Sequence, residues 1–299
     1  MKGDFIVDTM FQWFYDILAL TISAVLIYSS AKKGFSKTIP VMVGYVLSIF
    51  IASMVSSPMA NAFYSNVIKK NNVSAISENL SDLNFTQKYK SYIDALGYNI
   101  KTDSEKLEII FTSDNDITES VYQYCCELNG SNIPKDSFSE KFQSGYADIV
   151  YEALKSDLPV YTLQSLYDSP ADFNQNIKAM YNSDPLEIGR YIEENYVKSP
   201  IISVVKSVCF IISVFIVMFL VRIIADKINN AQLIKRFGFA DRILGSILGL
   251  AEALIILAII AVFVKSLILI SNDEMMLFNS ETIEKTKIFK HIFNFKYID

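Results

Sequence analysis

The sequence predicts an all-α integral membrane protein, with four transmembrane helices and a mainly helical extracytoplasmic insertion between the second and third. Three observations carry this: four long runs almost free of charge, short basic connections inside each pair of runs, and a polar, acid-rich stretch between the pairs. The apolar fraction of 52% and the mean hydropathy of +0.29 stand slightly above the soluble norm. The excess is gathered near the two ends of the 299 residues.

The first run, 13–31, carries only Asp16 and has the roughly 19 residues that cross a hydrocarbon core of about 30 Å. The second, 38–63, has no charge, and Pro40 is expected in its first turn, where a missing amide donor costs a helix nothing. The third, 200–224, keeps Lys206 and Arg222 near its ends, where long side chains snorkel to water. The fourth, 243–270, would be about 42 Å long at 1.5 Å per residue, so it must tilt or protrude. The organisation read from these runs is an interfacial segment with helices one and two over 1–63, a polar domain over 64–199, helices three and four over 200–271, and an amphipathic tail over 272–299.

Flanking charge gives the orientation, because Lys and Arg in short loops are retained in the cytoplasm. The first short loop holds Lys32, Lys33 and Lys37 with no acid; the second holds Lys227, Lys235, Arg236 and Arg242 against Asp226 and Asp241. Both loops are therefore expected inside, with both termini and the 64–199 domain outside. The N-terminal Asp4 and Asp8 against Lys2 argue against a signal peptide, and the aromatic-rich 5–14 either lies in the outer interface or extends the first helix.

Between 64 and 199, acids outnumber Lys and Arg, which argues against a nucleic-acid partner. Apolar residues three and four apart in 117–128, 138–154 and 186–196 predict helices, and two-residue alternation shows only around 107–111. Asn129-Gly130, Ile133-Pro134 and Ser169-Pro170 mark turns. Cys125, Cys126 and Cys209 are too few for a disulfide framework.

Within the runs, Gly44, Ser48, Ala52, Ser56 and Ala60 recur every four residues, and Gly245, Gly249 and Ala253 do the same. Small residues so spaced let helix backbones approach closely in lipid; the partner is either a helix of the same chain or a second copy. Asp16, Lys206, Arg222 and Lys265 lie near run ends and read as interfacial anchors. Glu252 sits about 13 Å along its helix from Ile243, near mid-bilayer and on nearly the same face as the glycines, so it should face protein. It is either a titratable group in a polar path or a structural acid paired with Arg222 or a hydroxyl. No cofactor or metal is expected: His291 is the one histidine, and neither a phosphate-binding glycine loop nor a GxSxG turn occurs. A non-enzymatic role follows.

Asp16 at the start of the first run, Lys33-Gly34-Phe35 after it, and Phe239-Ala240-Asp241-Arg242-Ile243-Leu244-Gly245 followed by Gly249 resemble the colicin V production protein (CvpA) family. The tail 278–288 is similar to the amphipathic segment that follows the last helix in that family. The resemblance implies a multi-pass protein of the bacterial cytoplasmic membrane, accessory to peptide-toxin export or envelope homeostasis, with an export or envelope partner. Small members join the second and third helices briefly, so it says little of 64–199. Two other functions fit the residues: a solute or ion transporter with Glu252 in its path, and a receptor sensing a ligand through the 64–199 domain.

Overall fold

The computed structural model describes residues 11–130, 133–168, 172–181, 184–230, 238–271, 275 and 277–295. In chain order the helices are α1 (Gln12–Lys33), α2 (Phe35–Phe63), α3 (Lys69–Ser81), α4 (Phe85–Asp94), α5 (Ser104–Phe111), α6 (Ile117–Asn129), α7 (Lys135–Leu154), α8 (Val160–Leu163), α9 (Ser165–Asp168), α10 (Phe173–Ala179), α11 (Pro185–Ile192), α12 (Lys198–Asn230), α13 (Phe239–Ser271), α14 (Ser280–Glu284) and α15 (Phe289–Phe293). Two five-residue π-helical turns, Tyr64–Ile68 and Glu193–Val197, complete the order, and no strand occurs among the described residues. The chain divides into an apolar unit of 1–62 with 202–299 and a polar unit of 63–201.

In the apolar unit, α1, α2, α12 and α13 are long and apolar enough to cross a membrane. The aromatic stretch 5–14 lies outside the described residues up to 10; its remainder opens α1. Lys32 and Lys33 close α1, where cations suit the negative end of the helix dipole. α2 starts at Phe35, so Pro40 lies inside the helix and not in its first turn as the sequence suggests. The earlier start has a cause given below: a carboxylate on α13 caps it. The small-residue stripe of α2 is buried, and Gly44 is so close to α12 that an added Cβ would stand 2.0 Å from Val221 Cγ1. Ala52 packs with Phe210 and Val214 of α12 and with Ile259 and Val262 of α13. The stripe therefore meets a helix of its own chain.

In the polar unit, α3 pairs with α11 through Gly189, where a Cβ would lie 2.6 Å from the Val73 carbonyl oxygen. Phe85, Tyr89, Phe111, Phe138 and Phe142 form an aromatic core. Residues 104–111 form a helix, so the alternation seen at 107–111 signals no strand. Asp103 caps this helix by accepting from the Lys106 amide, and Leu107 and Phe111, four apart, are both fully buried. Gly130 ends α6 in the left-handed region at φ +62°, and Pro134 precedes α7. The turn expected at Ser169-Pro170 lies outside the described residues.

Candidate functional site at the short-loop end of the apolar unit

A set of polar contacts in the apolar unit lies where α1 hands over to α2, beside the first turn of α13. The chain leaves α1 at Gly34 with φ +83°, a conformation that L side chains rarely adopt. Asp241, buried at the start of α13, accepts from the Ser36 amide at 3.0 Å and the Ser36 hydroxyl at 2.9 Å. It thus caps α2 from 205 residues away in sequence and satisfies an amide that a helix start would otherwise leave unpaired. A Cβ on Gly34 would stand 2.0 Å from Asp241 Oδ2, so a side chain there would break the cap as well as strain the turn. One turn on, a Cβ on Gly245 would lie 2.6 Å from the Ser30 carbonyl oxygen, and one on Gly249 2.7 Å from that of Leu26. These glycines bring the backbones of α1 and α13 into contact. The two motif segments, distant in sequence, form one joint, from which the side chains of Lys33 and Arg242 project into solvent-accessible space while Phe35 is half-buried.

Glu252 stands just inside this joint. It is buried, accepts from the Ser30 hydroxyl at 3.2 Å, and is hydrogen-bonded by Tyr45; Arg222 lies within electrostatic reach of that tyrosine. Residue counting puts Glu252 near mid-bilayer, yet its carboxylate reaches Ser30, only three residues before α1 ends. Helical side chains lean toward the N-terminus, and the N-terminus of α13 is at this end. A buried carboxyl in an apolar bundle needs partners, and two hydroxyls supply them. Chemically, the group can hold or pass a proton. Sequence reasoning offered a hydroxyl partner but no identity for it, because Ser30 and Tyr45 look like ordinary members of apolar runs.

The remaining charges lie apart from this joint. At the other end of α1, Asp16 accepts from the amides of Lys287, Ile288 and Phe289 at 2.8, 2.9 and 3.1 Å. Read from sequence as an interfacial anchor, it caps the start of α15, because the tail folds back onto α1. Tyr15 joins in: its hydroxyl donates to the Leu277 carbonyl at 2.7 Å and its ring stacks on Phe289. Lys265, also read as an anchor, lies over the Phe293 ring and donates to the Phe295 carbonyl at 3.3 Å. Lys206 is half-buried on α12 and Arg222 is exposed.

In the polar unit, much of the acidity is structural. Asp103, Asp116, Asp172 and Asp184 each cap a helix by accepting a backbone amide. Cys125 and Cys126 are both free; burial pushes the Cys125 thiol up to about 12, which makes it unreactive. Glu193 is different. Its side chain is fully buried in a π-helical turn with neither oxygen hydrogen-bonded, and burial raises its pKa to about 7 despite Lys69 at 3.9 Å and Lys198 nearby. The sequence did carry a signal for it, since Glu193 falls between Gly189, Ile192, Tyr196 and Val197 on an apolar helical face. Among the described residues no group of three His, Cys, Asp or Glu could hold a metal ion.

A protein-family model described as Colicin V production protein matches residues 187–292, about a third of the chain, from α11 through α13 to the docked tail. No curated protein and no solved structure matches. The match contains Asp241, Arg242, Gly245 and Gly249, while Asp16 and Lys33-Gly34-Phe35 precede it and are joined to it by the contacts just described. The four apolar helices and this match make the chain a membrane protein that is similar, over residues 187–292, to the colicin V production protein family.

Proposed function

We propose that the protein is a non-enzymatic accessory of peptide-toxin export or envelope maintenance in a bacterial cytoplasmic membrane, with both termini and the 64–199 domain outside. The single observation behind this reading is the match of 187–292 to a family described by production of colicin V. Asp16 and Asp241 hold capping contacts and Glu252 holds hydroxyl contacts, which is consistent with structural roles for these three acids. The outward orientation is supported by the cations of the short loops. The partners in this reading are the lipid bilayer, a component of the export or envelope machinery, and a second copy of the chain if a small-residue face is shared; the stripes of α2 and α13 also make contacts within the chain.

The test is deletion of the gene in a toxin-secreting host. Lower toxin titre or greater detergent sensitivity is expected, restored by the wild-type chain and not by Asp241→Ala. Externally added protease should cut within 64–199 on intact cells and spare the loop near 235. One observation favours a transporter as the second reading, namely the Glu252, Ser30 and Tyr45 cluster linking three helices. Solute flux through liposomes holding the purified protein, with no phenotype in the deletion strain, would select it over the accessory role.

A further inference from the structure

A cavity of about 250 Å³ opens beside the α1–α2–α13 joint, lined by Lys32, Lys33, Gly34, Gly238, Phe239, Asp241 and Arg242. Three of these are cations with exposed side chains, and none forms an ion pair among the described residues. The one acid, Asp241, is turned to its capping contacts with Ser36, so the lining keeps an excess of two positive charges. Charges of one sign gathered in a concavity focus their field on an incoming anion. The size is just below that of sites for drug-like ligands, roughly 300 Å³ upward, and suits a small head such as a phosphate with its glycerol.

The surroundings decide what kind of phosphate. Immediately beyond the cavity, α13 presents Phe239, Ile243, Leu244 and Ile247, exposed by 79, 48, 43 and 59%. A soluble anion has no use for such a track, whereas an acyl chain running along the helix would cover it. The cavity also lies where α1 ends and α13 begins, and a bilayer spanned by these apolar helices would place its headgroups near such ends. We infer that this cavity is a binding site for the phosphate of an anionic phospholipid, held by Lys32, Lys33 and Arg242 with its acyl chain along the start of α13. The site rests on the membrane embedding of the bundle and does not depend on which face is cytoplasmic.

The test uses the purified full chain in nanodiscs, where both faces meet lipid, so failure of the site and failure of the proposed orientation give separate results. Lipid retained through detergent exchange is measured by native mass spectrometry for discs of phosphatidylglycerol mixed with phosphatidylcholine. The wild type should retain phosphatidylglycerol preferentially. At roughly 5-fold per cation near a membrane surface, the Lys32→Gln/Lys33→Gln/Arg242→Gln triple variant should lose that preference on the order of 100-fold, and Lys265→Gln, at the far end of α13, should keep it. Because the three side chains are exposed, thermal unfolding in pure phosphatidylcholine should be the same for wild type and triple variant, which keeps the comparison clear of misfolding. Undiminished phosphatidylglycerol retention by the triple variant overturns the inference. So does inorganic phosphate at millimolar concentration displacing all retained lipid and stabilising the wild type alone, for the site would then serve a soluble anion.

Discussion

Replacing Glu193 by Gln should stabilise the polar unit at alkaline pH and do little at acid pH. The carboxyl has its pKa raised from 4.5 to about 7, and its side chain has no measurable exposure. A raised acid binds its proton more tightly when folded, so it costs nothing below about pH 4.5. The cost grows as pH rises and is complete above about pH 7. At 1.36 kcal/mol per pH unit, a rise from 4.5 to about 7 corresponds to about 3 kcal/mol. Gln keeps the shape and removes the charge; any penalty for its buried amide is the same at every pH, so the diagnostic quantity is the change of the mutant-minus-wild-type difference with pH. Burial of Cys125 in the same unit gives an assay. In a Cys126→Ser/Cys209→Ser background, urea-dependent reaction of that one thiol with a dithiopyridine, which proceeds at low pH as well, reports opening of the polar unit. With a slope of roughly 1 to 3 kcal/mol per molar urea, the midpoint gap between variant and wild type should widen by about 1 to 3 M from pH 4.5 to pH 8. An equal gap at the two pH values would show that the carboxylate is neutralised by Lys69 or reached by water, and the reasoning would fail.

Three further outcomes concern the apolar unit, the first set against a control in the polar unit. Gly249→Leu drives a side chain into the α1 backbone at Leu26 and Ile27 and should cost about 1 to 3 kcal/mol, seen as a lower unfolding temperature in detergent, whereas Gly130→Ala, with open space around it, should cost only about 1 kcal/mol for its left-handed turn. Asp16→Ala leaves three amides without their acceptor and should release the tail, with trypsin cutting at Lys285, Lys287 or Lys290 at least 10-fold faster; an unchanged rate would mean that Tyr15 and Phe289 hold the tail unaided. Glu252→Gln keeps an acceptor for Ser30 and should leave both thermal stability and toxin titre within error in the accessory reading; loss of a pH-dependent flux in this variant would instead assign the group to a transport path.

Sequence alone reveals what depends on composition over long windows. The four apolar helices stand out because a bilayer-length run without charge has few alternative explanations, and the stripes at Gly44 to Ala60 and Gly245 to Ala253 stand out because small residues every fourth position have a packing reason. What does not show is the identity of partners brought together by tertiary contact. Pro40 misplaces the start of α2, since its position is set by Asp241, two hundred residues downstream. Asp16 resembles any carboxylate at a membrane edge until the tail closes on it, and Ser30, Ser36 and Tyr45 carry no signal at all in runs where hydroxyls are common. The acid excess of 64–199 tells nothing of individual roles, although four of these acids cap helices and Glu193 is buried.

The joint bears on how much of the chain the matched segment needs in order to fold. Residues 187–292 alone would present Gly245 and Gly249 to lipid with nothing against them, and would leave the carboxylates of Asp241 and Glu252 without Ser36, Ser30 and Tyr45. A polar group left unpaired in the hydrocarbon layer, as Glu252 would be, costs several kcal/mol. The tail of the segment has the same dependence, because the amides of Lys287, Ile288 and Phe289 find their acceptor only on α1. A chain cut after residue 186 should therefore fail to accumulate as the 187–292 fragment, and recover when residues 1–63 are expressed beside it, since the contacts that complete the domain need no covalent link to it. Accumulation of the fragment by itself would mean that a second copy can stand in for α1, and would return the glycine face of α13 to the list of self-association surfaces.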